Sequence, residues 1–152
     1  MRAAGSRRNS SQSSVSEVVV NGRRLPLSRA LVRRVVRAVL RAERRDALIS
    51  VTFLGRDSMR RLNAEHKGRD CPTDVLAFPL AGPSGLTIGD VYICSWVARQ
   101  EARARGIPFR EELIRLVVHG TLHALGREHP EGPERTRSAM WRRQERYVEA
   151  LA

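Results

Sequence analysis

Cysteine, lysine and aromatic residues are all scarce in this chain of 152 residues, and each scarcity closes off a class of answer. Two cysteines, Cys71 and Cys94, are too few for a disulfide scaffold, and neither sits in a Cys-x-x-Cys pair. Both are expected to be reduced and structural, in a cytoplasmic setting. Aromatics make up 5% of the residues, so the core has to be aliphatic. Trp96 and Trp141 fall in helical stretches and are read as packing residues rather than base-stacking platforms. No apolar run approaches the roughly 20 residues a bilayer crossing needs, which excludes an integral membrane role. Residues 1–16 hold no acid and no apolar h-region, so they do not read as a secretory signal. They overlap in composition with organelle transit peptides, but are read as a disordered Ser/Arg-rich tail ahead of one domain, residues 17–152.

What the chain has in excess is arginine. Lysine and arginine total 28 against 16 acids, a formal net charge of +12, and Lys67 is the only lysine. Charge of that sign and size suits a polyanion, because each guanidinium meeting a phosphate releases condensed counterions. The competing reading is a basic surface that is merely solvated.

The apolar pattern supplies the architecture. Glu17–Val20 is a β-branched run closed by the turn signal Asn21-Gly22. Ser28 stands at an N-cap position ahead of Leu31, Val32, Val35, Val36, Val39 and Leu40, one face of a helix. Arg33, Arg34, Arg37, Arg41, Arg44 and Arg45 occupy the other face. Residues 48–54 read as a buried strand, and Asp57 or Ser58 as the cap of a second helix ending near Gly68. Residues 74–80 and 88–94 are two further strands, the former confined to an edge or ended by Pro79. Ser95 opens a third helix that stops at Gly106. The segment 110–125 is apolar around most of its circumference and is expected to be central and buried. A last helix runs from about Glu134 to Leu151. The order predicts an α+β fold, a small mixed four-stranded sheet packed with about five helices.

Three of the four histidines lie within eleven residues: His119, His123 and His129. The first two, four apart, project from one face of the buried helix, one turn apart. Gly126 permits a turn at the helix end that carries His129 back, and Pro130 prevents the helix from resuming. Three neutral imidazoles suit one Zn²⁺ per chain and leave a fourth position for a zinc-bound water, whose pKa near 7 makes it a nucleophile. Imidazole also accepts nickel, copper and iron. Left without metal or partners, buried ring nitrogens would each cost about 1–3 kcal/mol.

The stretch His119-Gly120-Thr121-Leu122-His123-Ala124-Leu125-Gly126-Arg127-Glu128-His129 resembles the signature of the YbeY-type bacterial rRNA maturation factors. A second block agrees: Leu62-Asn63, then residues 69–79 (RDCPTDVLAFP), then Gly89-Asp90-Val91. The resemblance implies a zinc-dependent, single-strand-specific endoribonuclease acting on the 3′ end of small-subunit 16S rRNA and in ribosome quality control. Single-stranded RNA, rRNA and the small ribosomal subunit are the partners it implies, and the three histidines carry over as metal ligands. Two positions depart from the family pattern. Glu128 stands where the family has Asp, and Lys67 where it has an arginine near the cleft. Lys67 is a candidate phosphate contact, without the bidentate fork of arginine, and equally suits a solvated charge in a loop. Glu128, Asp74 and Asp90 are candidates to orient an imidazole or a water; the two aspartates equally suit caps at strand ends.

Two other functions compete. The spacing H-x-x-x-H-x-x-G-x-x-H resembles zinc peptidases, but those place a glutamate directly after the first histidine, where this chain has Gly120. A non-enzymatic ribosome assembly factor with a structural metal is the other.

Overall fold

A computed structural model describes residues 16–152; apart from Ser16, the expected tail over 1–16 lies outside them. The elements are β1 (Glu17–Asn21), α1 (Arg29–Glu43), β2 (Ala47–Leu54), α2 (Arg56–Lys67), β3 (Val75–Ala81), β4 (Thr87–Cys94), α3 (Ser95–Arg105), α4 (Phe109–Ala124) and α5 (Ala139–Leu151). Short 3-10 turns cover Pro83–Gly85 and Gly132–Arg137. The four strands form one mixed sheet in the order β1-β2-β4-β3, with β3 antiparallel to β4 and the other pairs parallel. This is the α+β architecture the sequence predicts. Pro79 lies in β3 opposite Gly89, on the edge strand, where a missing N–H spoils no second ladder.

Alternation along the strands sorts the sheet into two faces. Val20, Val51, Val91 and Ala77 pair across the sheet in one row. That face carries the main core, shared with α1 and α4. The opposite face is covered by α2, where Met59 and Leu62 meet Leu76, Phe78, Tyr92 and the buried Cys94. Cys94 and the exposed Cys71 are both free thiols. No helix of the described residues is long and apolar enough to cross a membrane.

Helix α1 starts where its cap predicts, since Ser28 Oγ accepts from the Leu31 N–H at 3.1 Å. Its arginine face is partly structural. Arg33 Nε donates to the Val18 carbonyl at 3.2 Å, and Arg29 Nε to that of Val20 at 3.3 Å, covering carbonyls of edge strand β1. Just beyond the helix, Arg45 donates to the Leu125 carbonyl at 3.3 Å and to Thr87 Oγ1 at 2.8 Å.

Two helix starts differ from expectation. α2 opens at Arg56 with Gly55 as its N-cap, ahead of Asp57. α5 opens at Ala139 rather than near Glu134, because Ser138 Oγ takes the Trp141 N–H at 3.2 Å and the preceding residues, with Pro133, form the 3-10 turn.

Helix α4 packs against α1, α3, α5 and the sheet. Two glycines let it sit down closely. A Cβ on Gly120 would lie 2.3 Å from Val91 Cγ1, and one on Gly89 would lie 2.5 Å from the Ala124 Cβ. This close seating sets the histidine-bearing end of α4 beside β3.

Candidate metal centre

The local rules of the helix end build the site. His119 and His123 stack one turn apart on α4. The helix then closes with the Gly126 N–H donating to the His123 carbonyl at 2.9 Å and the Arg127 N–H to that of Leu122 at 3.0 Å. Gly126 adopts φ +90°, a left-handed conformation that side chains disfavour, and the chain doubles back. The three rings gather with centroids 4.5 Å (His119–His123), 4.9 Å (His123–His129) and 5.2 Å (His119–His129) apart. One ligand nitrogen from each lies within 4.8 Å of the other two.

Hydrogen bonds select which nitrogens face inward. His119 Nδ1–H donates to Gln144 Oε1 at 2.6 Å, and His129 Nδ1–H donates to the Pro130 carbonyl at 2.9 Å. In both rings the lone pair is then left on Nε2, the arrangement by which proteins fix a ligating imidazole. Burial, and next the neighbouring His123, push the His119 pKa down to about 3, so its ring is neutral at physiological pH. Burial followed by the proximity of His129 lowers His123 as well.

An open cleft of about 540 Å³ leads to the rings. Lys67, at the C-terminus of α2, lines it together with Glu128, and so does Glu131, which the sequence reading had not singled out. Asp74 is divided between two tasks: its carboxylate accepts the Val75 N–H at 2.8 Å, capping the start of β3, and it borders a small polar cavity shared with His119. Asp90 is not brought to the histidines. It sits on the opposite sheet face from Gly89 and Val91, accepting from Ser50 Oγ at 2.7 Å.

Gln144 is the important residue that sequence reasoning missed. It is 1% exposed, on α5, twenty-five residues from the ring it holds. A signal existed: Met140, Gln144 and Val148 recur every four residues, so a polar side chain interrupts the apolar stripe of α5. Arg115 was also missed. It is buried in α4, bonded to Glu145, Glu112 and Glu111, and borders the same polar cavity.

Fold and site together define a small α+β domain with a three-histidine site of metal-binding geometry at the end of its central helix. The chain belongs to the endoribonuclease YbeY family, whose model matches residues 21–152. Endoribonuclease YbeY of Thermotoga sp. strain RQ2 is 34% identical over 113 residues, which is 74% of this chain and 73% of that protein. Endoribonuclease YbeY of Alkalilimnicola ehrlichii is 42% identical over 93 residues, 58% of this chain and 56% of its own length. The solution structure of TM1509 from Thermotoga maritima matches with a TM-score of 0.64 at 28% identity, covering 88% of each chain.

Proposed function

We propose that this chain is a zinc-dependent endoribonuclease that cuts single-stranded RNA, acts on the 3′ end of small-subunit rRNA, and takes part in ribosome quality control at the small subunit. Endoribonuclease activity follows from membership of the family. The observation that supports the metal is the convergence of three imidazoles whose outer nitrogens are already committed on His119 and His129. His119, His123 and His129 are the residues that would hold Zn²⁺, a borderline-soft ion suited to imidazole. When bound, zinc supplies Lewis-acid polarisation of a phosphoryl oxygen and lowers the pKa of a coordinated water.

The remaining work falls to the chain itself. Gln144 and the Pro130 carbonyl orient two rings, and burial keeps His119 uncharged. Lys67 offers a positive charge to a phosphate at the cleft wall. Glu128 and Glu131 place carboxylates at the same cleft, within the lining that a bound strand would meet. The wider excess of arginine favours a polyanionic substrate. Cytoplasmic placement is part of this reading, as the compartment of rRNA.

The peptidase alternative loses ground on geometry. Position 120 faces Val91 and Val75 at a distance that leaves no room for a Cβ, so a glutamate there has no space. The assembly-factor alternative is separated by experiment. The protein should carry about one zinc per chain and cleave single-stranded RNA, with cleavage lost on chelation and restored by zinc. His123→Ala should reduce cleavage to background while RNA binding persists. Stoichiometric zinc without cleavage would favour the assembly factor, and absence of any bound metal would overturn the zinc reading.

A further inference from the structure

The parallel strands β1, β2 and β4 end side by side at Asn21, Leu54 and Cys94. Outside their carboxyl ends lies a groove of about 830 Å³, larger than the histidine cleft and sharing no lining residue with it. In doubly wound α/β sheets ligands bind beyond the carboxyl ends of parallel strands, and the three parallel strands of this mixed sheet present that same end to the groove. Three arginines line the groove, Arg23, Arg24 and Arg56, and no acidic residue does. Among the described residues, none of the three arginines is in an ion pair. Leu54 and Trp96 give the groove an apolar wall.

Trp96 is 41% exposed, more than its reading as a packing residue would suggest. It stands in the first turn of α3, and the Arg56 guanidinium lies 4.9 Å from its ring centroid. An indole left partly in water beside a cation forgoes burial but offers a flat π-face. The first turn of α2 borders the same groove, and its N-cap, Gly55, has no side chain to occupy the turn's N–H groups.

We propose that this groove is a single-stranded RNA subsite, in which an unstacked base lies on Trp96 and adjacent phosphates meet Arg23, Arg24 and Arg56. Aromatic stacking plus a carboxylate-free basic rim is how proteins hold single strands without reading their sequence. A duplex keeps its bases stacked inside, so it has no face to offer the indole. An acidic peptide would satisfy the arginines but would bring no ring to the exposed part of the Trp96 indole. The subsite rests on the reading of the chain as an RNA-cleaving enzyme for the identity of the bound strand as substrate.

The test uses metal-loaded protein in a Trp141→Phe background, which leaves Trp96 as the only tryptophan, and a short 2′-O-methyl pyrimidine oligonucleotide. Trp96 fluorescence should be quenched on binding. By anisotropy of a labelled oligonucleotide, Trp96→Ala and Arg24→Ala should each raise Kd about tenfold, with Trp96→Phe within about threefold of the parent. For cleavable RNA the same variants should raise KM and leave kcat unchanged. Unaltered Trp96 emission at saturation would overturn the subsite. So would parental Kd in a Trp96→Ala protein of native circular dichroism, or tighter binding of duplex RNA or polyglutamate than of single strands. Quenching without cleavage of any RNA would sink the enzymatic reading and leave the subsite standing. Cleavage with Kd and KM indifferent to these substitutions would do the reverse.

Discussion

Helices α1 and α4 contribute to the same core, yet they treat polar residues in opposite ways. On α1 the apolar stripe from Leu31 to Leu40 is buried, while Arg34, Arg37 and Arg41 remain on the outer side. On α4 almost nothing is left outside, and Glu112, Arg115, His119 and Thr121 are buried with the leucines and valines. Each of those four has a partner. Thr121 Oγ1 donates to the Val117 carbonyl at 2.7 Å, Glu112 meets Arg105 and Arg115, Arg115 reaches three carboxylates, and His119 meets Gln144. Among the described residues, no buried side-chain nitrogen or oxygen lacks a partner. A solvated charge on α1 carries little penalty, whereas a buried one is tolerated only inside a satisfied network. The difference teaches where to look for chemistry: in the helix whose polar groups are costly, not the one where they are numerous.

Removing one partner from the α4 network should have the largest effect on stability. Arg115→Met leaves the Glu112 carboxylate buried with Arg105 alone, and should cost about 3–5 kcal/mol in urea unfolding. Burial already pushes the Glu112 carboxyl upward against the pull of Arg105 and Arg115, so losing one cation should favour its protonated form further. A cost near zero would mean that the network is no more demanding than the surface of α1.

Gln144→Leu tests the same contrast at the site. It keeps the volume but orphans the His119 Nδ1–H, which should cost about 1–3 kcal/mol of stability. Loss of the ring's orienting contact should weaken zinc binding by about 10–100-fold, read by competition with a chromophoric chelator. Unchanged zinc affinity would show that Gln144 merely fills space.

The contrast blurs where α1 ends. The Glu43 side chain is 3% exposed and accepts from Arg127, from Arg143 at 2.7 Å and from the Tyr147 hydroxyl at 3.1 Å. Burial raises its carboxyl, but the bonds from Arg127 and Tyr147 and the two guanidinium charges outweigh it and hold the pKa below the usual carboxylate range. A carboxyl depressed in the folded state stabilises fully above its unfolded pKa, and that contribution disappears as pH falls through the folded value. Unfolding free energy should therefore decline on acidification, and Glu43→Gln should flatten part of that decline. An identical pH profile in the variant would place the acid sensitivity elsewhere.

The smallest effect on stability belongs to the outer face of α1. Arg34→Gln, Arg37→Gln and Arg41→Gln should each change stability by no more than about 0.5 kcal/mol. If that face meets RNA, each lost phosphate contact should reduce the slope of log K against log salt by roughly 0.7 for a single strand.

Much of this contrast was legible in the sequence. The six apolar positions of α1 and its Ser28 cap recur at helical spacing, and the continuous apolar character of α4 announced its burial. Strand order was only partly legible: Pro79 marked β3 as an edge, but nothing local says that β4 inserts between β2 and β3. Gly120 could be noticed as an absent glutamate, while its contact with Val91 could not, because that contact depends on how α4 is seated. Helical position alone cannot tell an exposed groove wall from a packed one at Trp96, or a bridging cation from a solvated one at Arg45.

By itself the sequence determined the histidine cluster, because the two i, i+4 rings and the glycine turn that returns the third all lie within eleven residues, where local backbone geometry suffices. Only the tertiary structure decided what surrounds it. Gln144 behind His119, the arginine network of α4, the placement of Asp90 on the far face and the groove beside Trp96 all join residues far apart in the chain. Such contacts are set by the packing of whole elements, in which sheet order and the close approach of α4 to β4 choose the neighbours.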